Sequence, residues 1–111
     1  MMSVDQLVRK VNNHEVIPFA DVIATIDATY TFIPSAFKNG NLMNDEGMNN
    51  GSCKVFSFAK MQELNEADTL FLFGEHYQKV LETPSEEDHQ NIRNFMQFGW
   101  DGIHFEKIAL V

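Results

Sequence analysis

Nucleophilic chemistry in this chain would depend on Cys53, because it is the one cysteine in the sequence. We predict a helix from Ser52, as its N-cap, to Gln62, which places Cys53 in the first helical turn. There the helix dipole and the neighbouring Lys54 would lower the thiol pKa and favour the reactive thiolate. The sequence therefore offers Cys53 as a candidate catalytic nucleophile.

The candidate general bases are the four histidines: His14, His76, His89 and His104. His89 is the best placed, because it flanks the apolar positions Ile92 and Met96 of a predicted helix. With Cys53 it would make a small Cys-dependent enzyme. The alternative is a buried structural thiol and a hydrogen-bonded histidine at the edge of the core. The sequence leaves both interpretations open.

An asparagine- and glycine-rich stretch, NGNLMNDEGMNNGSC, runs from Asn39 to Cys53. This composition serves turns and left-handed backbone rather than a core. We interpret it as an ordered loop with positive φ at three glycines: Gly40, Gly47 and Gly51. Successive backbone N–H groups here would form a nest that holds an anion. The predicted binding residues of this loop are Asn49, Asn50, Gly51 and Ser52.

Metal-binding patterns are weak in this sequence. No two histidines have the spacing that places two ligands on one helical face, and the Asn/Gly loop lacks the register of an EF-hand. We therefore predict neither a metal nor another cofactor. The alternative is a non-standard calcium loop with oxygen ligands from Asn44, Asp45, Glu46, Asn49 and Asn50.

Further candidate binding residues follow Thr83-Pro84: Asp88, Asn91, Arg93 and Trp100. The first three share the predicted last helix with His89, whose ring could line the rim of a pocket. Trp100 lies beside the aromatic residues Phe95 and Phe98. It is interpreted either as a plug over the core or as part of an aromatic patch for a partner protein.

The elements that would position these residues belong to the α+β class, with about five helices and a small antiparallel sheet of two or three short strands. Ser3 and Gln6 form a capping box for the first helix, and Asn65 caps a helix that is predicted to continue to Leu81. Ser85 is predicted to cap the last helix. Ile103–Phe105 is predicted to pair as a strand with Tyr30–Phe32, with an extended piece at Phe37 as the alternative partner. Ten phenylalanines supply the core, and a fully helical fold is the alternative to the α+β class.

Length and charge narrow the function classes. One domain over residues 1–111 is the natural interpretation of the chain length. Sixteen acidic residues against eight basic ones give a net charge of −8. Because phosphate binding needs clustered Lys and Arg, we expect neither nucleic acid nor membrane as a partner. A single cysteine and the lack of a signal peptide or long apolar run predict a cytoplasmic protein.

Several segments together resemble one known family. They are YTFIPSAFKNG from Tyr30, NNGSCK from Asn49, LFGEHY from Leu72, DHQNIRNFM from Asp88 and GWDGI from Gly99. This series is similar to the HopJ type III effector family, and the resemblance covers the chain from about Tyr30 to Phe105. The resemblance implies secretion through a type III system, but it implies no catalytic residues. It does mark ten residues as matching the family pattern: Asn49, Asn50, Gly51, Ser52, Cys53, Asp88, His89, Asn91, Arg93 and Trp100.

The function that we expect from these observations is binding of a partner molecule, with a protein as the leading candidate and a small molecule as the other. The expectation rests on the resemblance, the acidic charge and the lack of a complete catalytic motif. The alternative is a small Cys-dependent enzyme or ligand-binding protein that uses Cys53 and His89.

Overall fold

The computed structural model describes residues 2–111, which form six α-helices, one 3-10 helix and a three-stranded sheet. The helices are α1 (Val4–Asn12), α2 (Phe19–Thr29), α3 (Asn50–Met61), α4 (Glu66–Phe71), α5 (Glu75–Glu82) and α6 (Gln90–Phe98). The strands are β1 (Phe37–Asn39), β2 (Leu42–Asn44) and β3 (Ile103–Phe105), and the 3-10 helix is Gly99–Gly102. The predicted α+β class is confirmed.

The sheet is antiparallel with the order β2-β1-β3. Its central strand pairs Phe37 with Asn44 on one side and with Phe105 on the other. The predicted pairing of Tyr30–Phe32 with Ile103–Phe105 is therefore wrong, and the alternative partner at Phe37 is the correct one. Tyr30 instead ends α2 in an extended conformation, and Phe32 forms only an isolated bridge with Leu110. The C-terminal tail, not β3, occupies the edge beside this segment, because Thr31 and Val111 exchange backbone hydrogen bonds.

The core is rich in phenylalanine, as predicted, and it centres on the fully buried Phe56 of α3. The Phe56 ring lies 5.0 Å from the ring of Phe95, 5.4 Å from Phe73 and 6.1 Å from Phe37. Rings at these separations gain stability beyond their area burial when they are tilted or edge-on, as these are. The cluster joins α3, α6 and the sheet to the junction between α4 and α5.

Two helix caps are predicted correctly from the sequence, and both are formed by residues close together in the chain. Ser3 and Gln6 form the reciprocal capping box of α1. At α4, the Asn65 side chain accepts a hydrogen bond of 2.8 Å from the backbone of Asp68. Both caps use side chains within three residues of each other, so they can form before any tertiary contact.

Two predicted helix starts are wrong. Helix α3 begins at Asn50, so Ser52 lies inside the helix and Asn49 precedes it in a left-handed conformation with φ 54°. Helix α6 begins only at Gln90, after His89 at φ 51°, and Ser85 lies in the preceding loop. Gly51 is helical, so its predicted positive φ is also wrong, whereas Gly40 at 62° and Gly47 at 85° are confirmed.

The helix predicted from Asn65 to Leu81 is divided at Gly74, which accounts for the sixth helix. Gly74 has φ 56° and ψ −129°, a conformation open only to glycine. A Cβ atom there would lie 2.2 Å from the backbone oxygen of Ile17. The chain turns at Gly74 because the segment before α2 packs directly against its backbone.

Replacing Gly74 with alanine should therefore strongly destabilise the fold. We expect Gly74→Ala to lower the free energy of unfolding by about 3 kcal/mol or more, from backbone strain plus a clash with main-chain atoms. Gly47→Ala is the matched control, because Gly47 also has positive φ but has open space around it, and it should cost about 1 kcal/mol. Urea denaturation measures both. Equal losses would show that the contact with Ile17 does not matter.

Candidate functional site

An open cleft of about 430 Å³ lies where the first residues of several helices meet. Its lining comes from the starts of α2, α3 and α6, from β2 and from the residues around the α4–α5 junction. The lining residues are Phe19, Leu42, Asn49, Gly51, Ser52, Phe73, His76, His89, Gln90, Asn91 and Ile92. None of them is acidic, although the chain carries sixteen acidic residues. A concave site with a few converging polar groups is the usual form of a ligand site.

Two of the helix starts at this cleft, those of α3 and α6, have no side-chain caps. Neither Asn49 before α3 nor His89 before α6 accepts a capping hydrogen bond, and neither helix has an acidic residue in its first turn. The first backbone N–H groups of an α-helix have no acceptor within the helix. The amides of Gly51, Ser52 and Gln90 therefore remain available at the cleft, where the positive ends of two helix dipoles meet.

Two histidines of the cleft lining pack against each other. The rings of His76 and His89 have centroids 4.9 Å apart, and His76 also lies edge-on to Phe19 at 4.9 Å. Burial lowers the pKa of His89, and the nearby charge of His76 lowers it further. A nearby anion would act against both effects and favour the protonated form of His89. The Asp88 carboxylate, 4.0 Å from His89 Nε2, acts in the opposite direction.

A neighbouring helix start is closed by a carboxylate. The backbone N–H of Phe19 donates a hydrogen bond of 2.7 Å to Oε1 of Glu75. This hydrogen bond lowers the pKa of Glu75, as expected for a charged acceptor at a positive helix end. The contact shows within this chain how a carboxylate occupies a helix start, while the starts of α3 and α6 stay open.

Three buried asparagines and the exposed Asn49 fix the two open helix starts in place. Asn44 of β2 and Asn91 of α6 exchange amide hydrogen bonds of 2.9 and 3.0 Å. Asn39 donates to both oxygens of Asn91, at 2.8 and 3.0 Å, and Asn49 donates to Asn44 Oδ1 at 2.7 Å. The hairpin of β1 and β2 is thereby locked to α6 by polar contacts. We call these four residues the asparagine network.

Asp88 and Arg93 hold the loop before α6 rather than line the cleft. Arg93 donates to Asp88 Oδ1 at 2.7 Å and to the Thr83 backbone oxygen at 2.8 Å. Lys79 also pairs with Asp88, and these two cations lower the pKa of Asp88 to about 2. The two residues therefore position His89, which follows them directly, and do not themselves offer free groups to a ligand.

Cys53 lies in the core and not at the cleft. Its side chain is 1% exposed, and its thiol donates to the Ser35 backbone oxygen at 3.6 Å. Burial raises its thiol pKa, and this outweighs the hydrogen bond to Ser35 and the charge of Lys54. A nucleophilic cysteine needs an accessible sulfur and a lowered pKa. The geometry therefore gives no support to a reaction of Cys53 with His89.

Trp100 lies against the core. Its ring is 5.1 Å from that of Phe95 and edge-on to it, and its indole nitrogen donates to the Leu64 backbone oxygen at 3.0 Å. Of its two interpretations, these contacts support the plug over the core. Asn50, the last of the predicted binding residues, is exposed on the first turn of α3 and is not part of the cleft lining.

The structure thus brings together five of the predicted residues: Asn49, Gly51, Ser52, His89 and Asn91. Sequence reasoning missed the opposite wall, formed by Phe19, Phe73 and His76. One signal was available, because Gly74 directly before Glu75-His76 indicates a break and a new helix start.

Within residues 2–111, no three His, Cys, Asp or Glu side chains are grouped so as to hold a metal ion. In that same range no helix has the length and apolarity to cross a bilayer.

The fold and the cleft define a small α+β protein whose helix starts surround an open polar site. The chain belongs to the HopJ type III effector family, whose sequence profile matches residues 4–110. It is also similar to a crystal structure described as that of the unknown-function protein VPA0580, with 46% identity and a TM-score of 0.95. That match covers 99% of this chain and 93% of the other. No curated protein matches the chain.

The asparagine network should be essential to stability. We expect Asn44→Ala to lower the free energy of unfolding by about 2–4 kcal/mol, because it leaves the buried amide of Asn91 without its partner. Asn12→Ala, at an exposed position of α1, is the matched control and should stay within about 0.5 kcal/mol. Both are measured by urea denaturation. A loss below 1 kcal/mol for Asn44→Ala would contradict the role assigned to the network.

Proposed function

We propose that this protein acts by binding a partner molecule and that the cleft takes a carboxylate of that partner. The single observation that carries the proposal is the convergence of two uncapped helix starts and the His76–His89 pair on one cavity. The amides of the two helix starts donate hydrogen bonds to an anion, and a nearby anion favours the protonated form of His89. The lack of any acidic lining residue agrees with this assignment.

The chemistry of the site supports recognition rather than catalysis. A bound carboxylate would accept hydrogen bonds from the backbone of Gly51 and Gln90 and would stabilise the protonated form of His89. The apolar side chains of Phe19, Phe73 and Ile92 would contact the carbon atoms attached to that carboxylate. We infer that the partner is a protein that offers an acidic side chain or its chain terminus.

The net charge of −8 makes this recognition short-ranged. The long-range field of the chain repels an acidic partner, so binding has to come from hydrogen bonds inside the cleft. The asparagine network supports this role, because it holds both helix starts in position before a ligand arrives. A site that is rigid in advance loses less conformational entropy on binding.

Acetate binding followed by NMR tests the proposal, with the total ionic strength held constant. We expect saturable amide shifts at Gly51, Ser52 and Gln90, with a dissociation constant on the order of 1–10 mM. The bound anion should raise the pKa of His89. By linkage, the affinity should rise as the pH falls through that pKa, and it should be several-fold higher at pH 5.5 than at pH 8.

Two histidine variants provide the control for this titration. His89→Asn removes the ionisable ring but keeps a residue that tolerates the left-handed backbone, and it should abolish the pH dependence of acetate affinity. His104→Asn makes the same change at an exposed position of β3 outside the cleft and should leave the affinity unaltered. Equal effects of the two variants, or shifts scattered over the surface, would refute the carboxylate site.

Secretion is a second part of the proposal, supported by membership of a family described as type III effectors. We propose that the full chain is exported by a type III apparatus. A translocation reporter fused to its C-terminus should give signal in host cells exposed to a type III-competent bacterium and none with its secretion-ATPase mutant. A fusion protein that stays in the bacterial cytoplasm in both strains would overturn this part alone.

A further inference from the structure

A second concave surface lies away from the cleft, between α3 and the C-terminal tail. We call it the C-terminal groove. On α3 it is lined by Ser57, Lys60 and Met61, which share one helical face, and on the tail by Phe105 and residues 107–110. Its volume is about 530 Å³, and it shares no lining residue with the cleft.

The groove has an apolar floor and exposed apolar rims. Ala109 and Leu110, each 2% exposed, form the floor, and the bonding of Thr31 and Ile33 to the tail holds them there. At the rims Met61 is 48% exposed and Ile108 is 74% exposed. Large apolar side chains gathered in this way on a small protein indicate a binding surface.

The charges at this groove are opposite in sign to the net charge of the chain. Its only charged lining residues are Lys60 and Lys107. Lys60 has no ion-pair partner within residues 2–111, and Lys107 pairs with Glu46 through two half-exposed side chains, a contact that water weakens. In a chain with twice as many acidic as basic residues, this favours a ligand with an anionic head.

The size of the groove favours a single aliphatic chain over a folded partner. A stable protein interface uses roughly 20–30 residues a side, whereas eight line this groove, and its volume lies in the range of small-ligand sites. We propose that the C-terminal groove binds a fatty acid. The aliphatic chain lies along Met61, Ile108 and Leu110, and the carboxylate is held by Lys60 and Lys107.

Calorimetric titration with dodecanoate, below its micelle concentration, tests this proposal. We expect one site with a dissociation constant on the order of 10–100 µM. Octanoate should bind at least tenfold more weakly, because it buries four fewer methylene groups. Dodecyltrimethylammonium, with the same tail and the opposite head charge, should bind at least fivefold more weakly than dodecanoate.

Matched lysine variants locate the carboxylate. Lys60→Met keeps the apolar stem and removes the charge, so it should weaken dodecanoate binding about three- to fivefold. Adding Lys107→Met should bring the loss to about tenfold. Lys10→Met makes the same change on the exposed face of α1 and should leave the affinity unchanged.

Four results would overturn the proposal. The first is the lack of dodecanoate binding up to its micelle concentration. The second is equal affinity for the cationic amphiphile. The third is NMR shifts at Leu81 and Met96, which line a different apolar groove, instead of at Ile108 and Leu110. The fourth is a dimer in sedimentation that dodecanoate dissociates but Lys60→Met leaves intact, since a second copy would then be the occupant. None of them bears on acetate binding at the cleft.

Discussion

The buried hydrogen bonds between asparagine side chains are the constraint on which the rest of this structure depends. Strands of three residues have little stability of their own, and the hairpin of β1 and β2 needs an external anchor. Asn44 and Asn91 provide it, because each satisfies both the donor and the acceptor of the other. A buried amide that loses its partner costs more than the bond itself contributes, so this anchor specifies one arrangement of hairpin and helix. One acceptor of the network, Asn39 Oδ1, is left without a partner among the described residues.

The helix starts of this protein differ in whether a carboxylate closes them. The protein closes the start of α2 with Glu75 and the start of the 3-10 helix with Glu66, whose carboxylate accepts from Trp100 at 3.0 Å. At α3 and α6 the residue before the helix is instead in a left-handed conformation, and its side chain makes no capping hydrogen bond to the helix. The aromatic cluster around Phe56 forms a rigid base beneath these ends. The cleft is therefore a feature of the packed fold and not of one loop.

Acidic residues are unevenly distributed over the surface of this protein. Its acidic residues lie outside both the cleft and the C-terminal groove, so the net charge of −8 is carried by the surfaces between them. A like-charged surface around a site suppresses non-specific association, while the site itself stays open to a ligand that makes short-range contacts. Charge composition alone indicates an acidic protein and does not show that the cleft and the C-terminal groove lack acidic residues.

Features that depend on nearby residues could be predicted from the sequence. The capping box of Ser3, the Asn65 cap, the turn at Gly40 and the phenylalanine core follow from residue types within a few positions of one another. The wall of the cleft at the start of α3 was also predictable, because Gly51 marks a place where backbone amides are accessible. The α+β class followed from the same local patterns, and the resemblance to a family gave no account of the site.

Tertiary structure alone decided the rest, since each remaining feature depends on residues far apart in the chain. The break at Gly74 exists because Ile17 packs against it, and β1 replaces the Tyr30 segment as the partner of β3. His76 became part of the site only when folding brought it to His89. From its position in the first turn of a helix, Cys53 was expected to have a lowered thiol pKa. Its burial in the folded core raises that pKa. Local chemistry determined which elements form, and non-local packing determined which of their polar groups meet at the cleft.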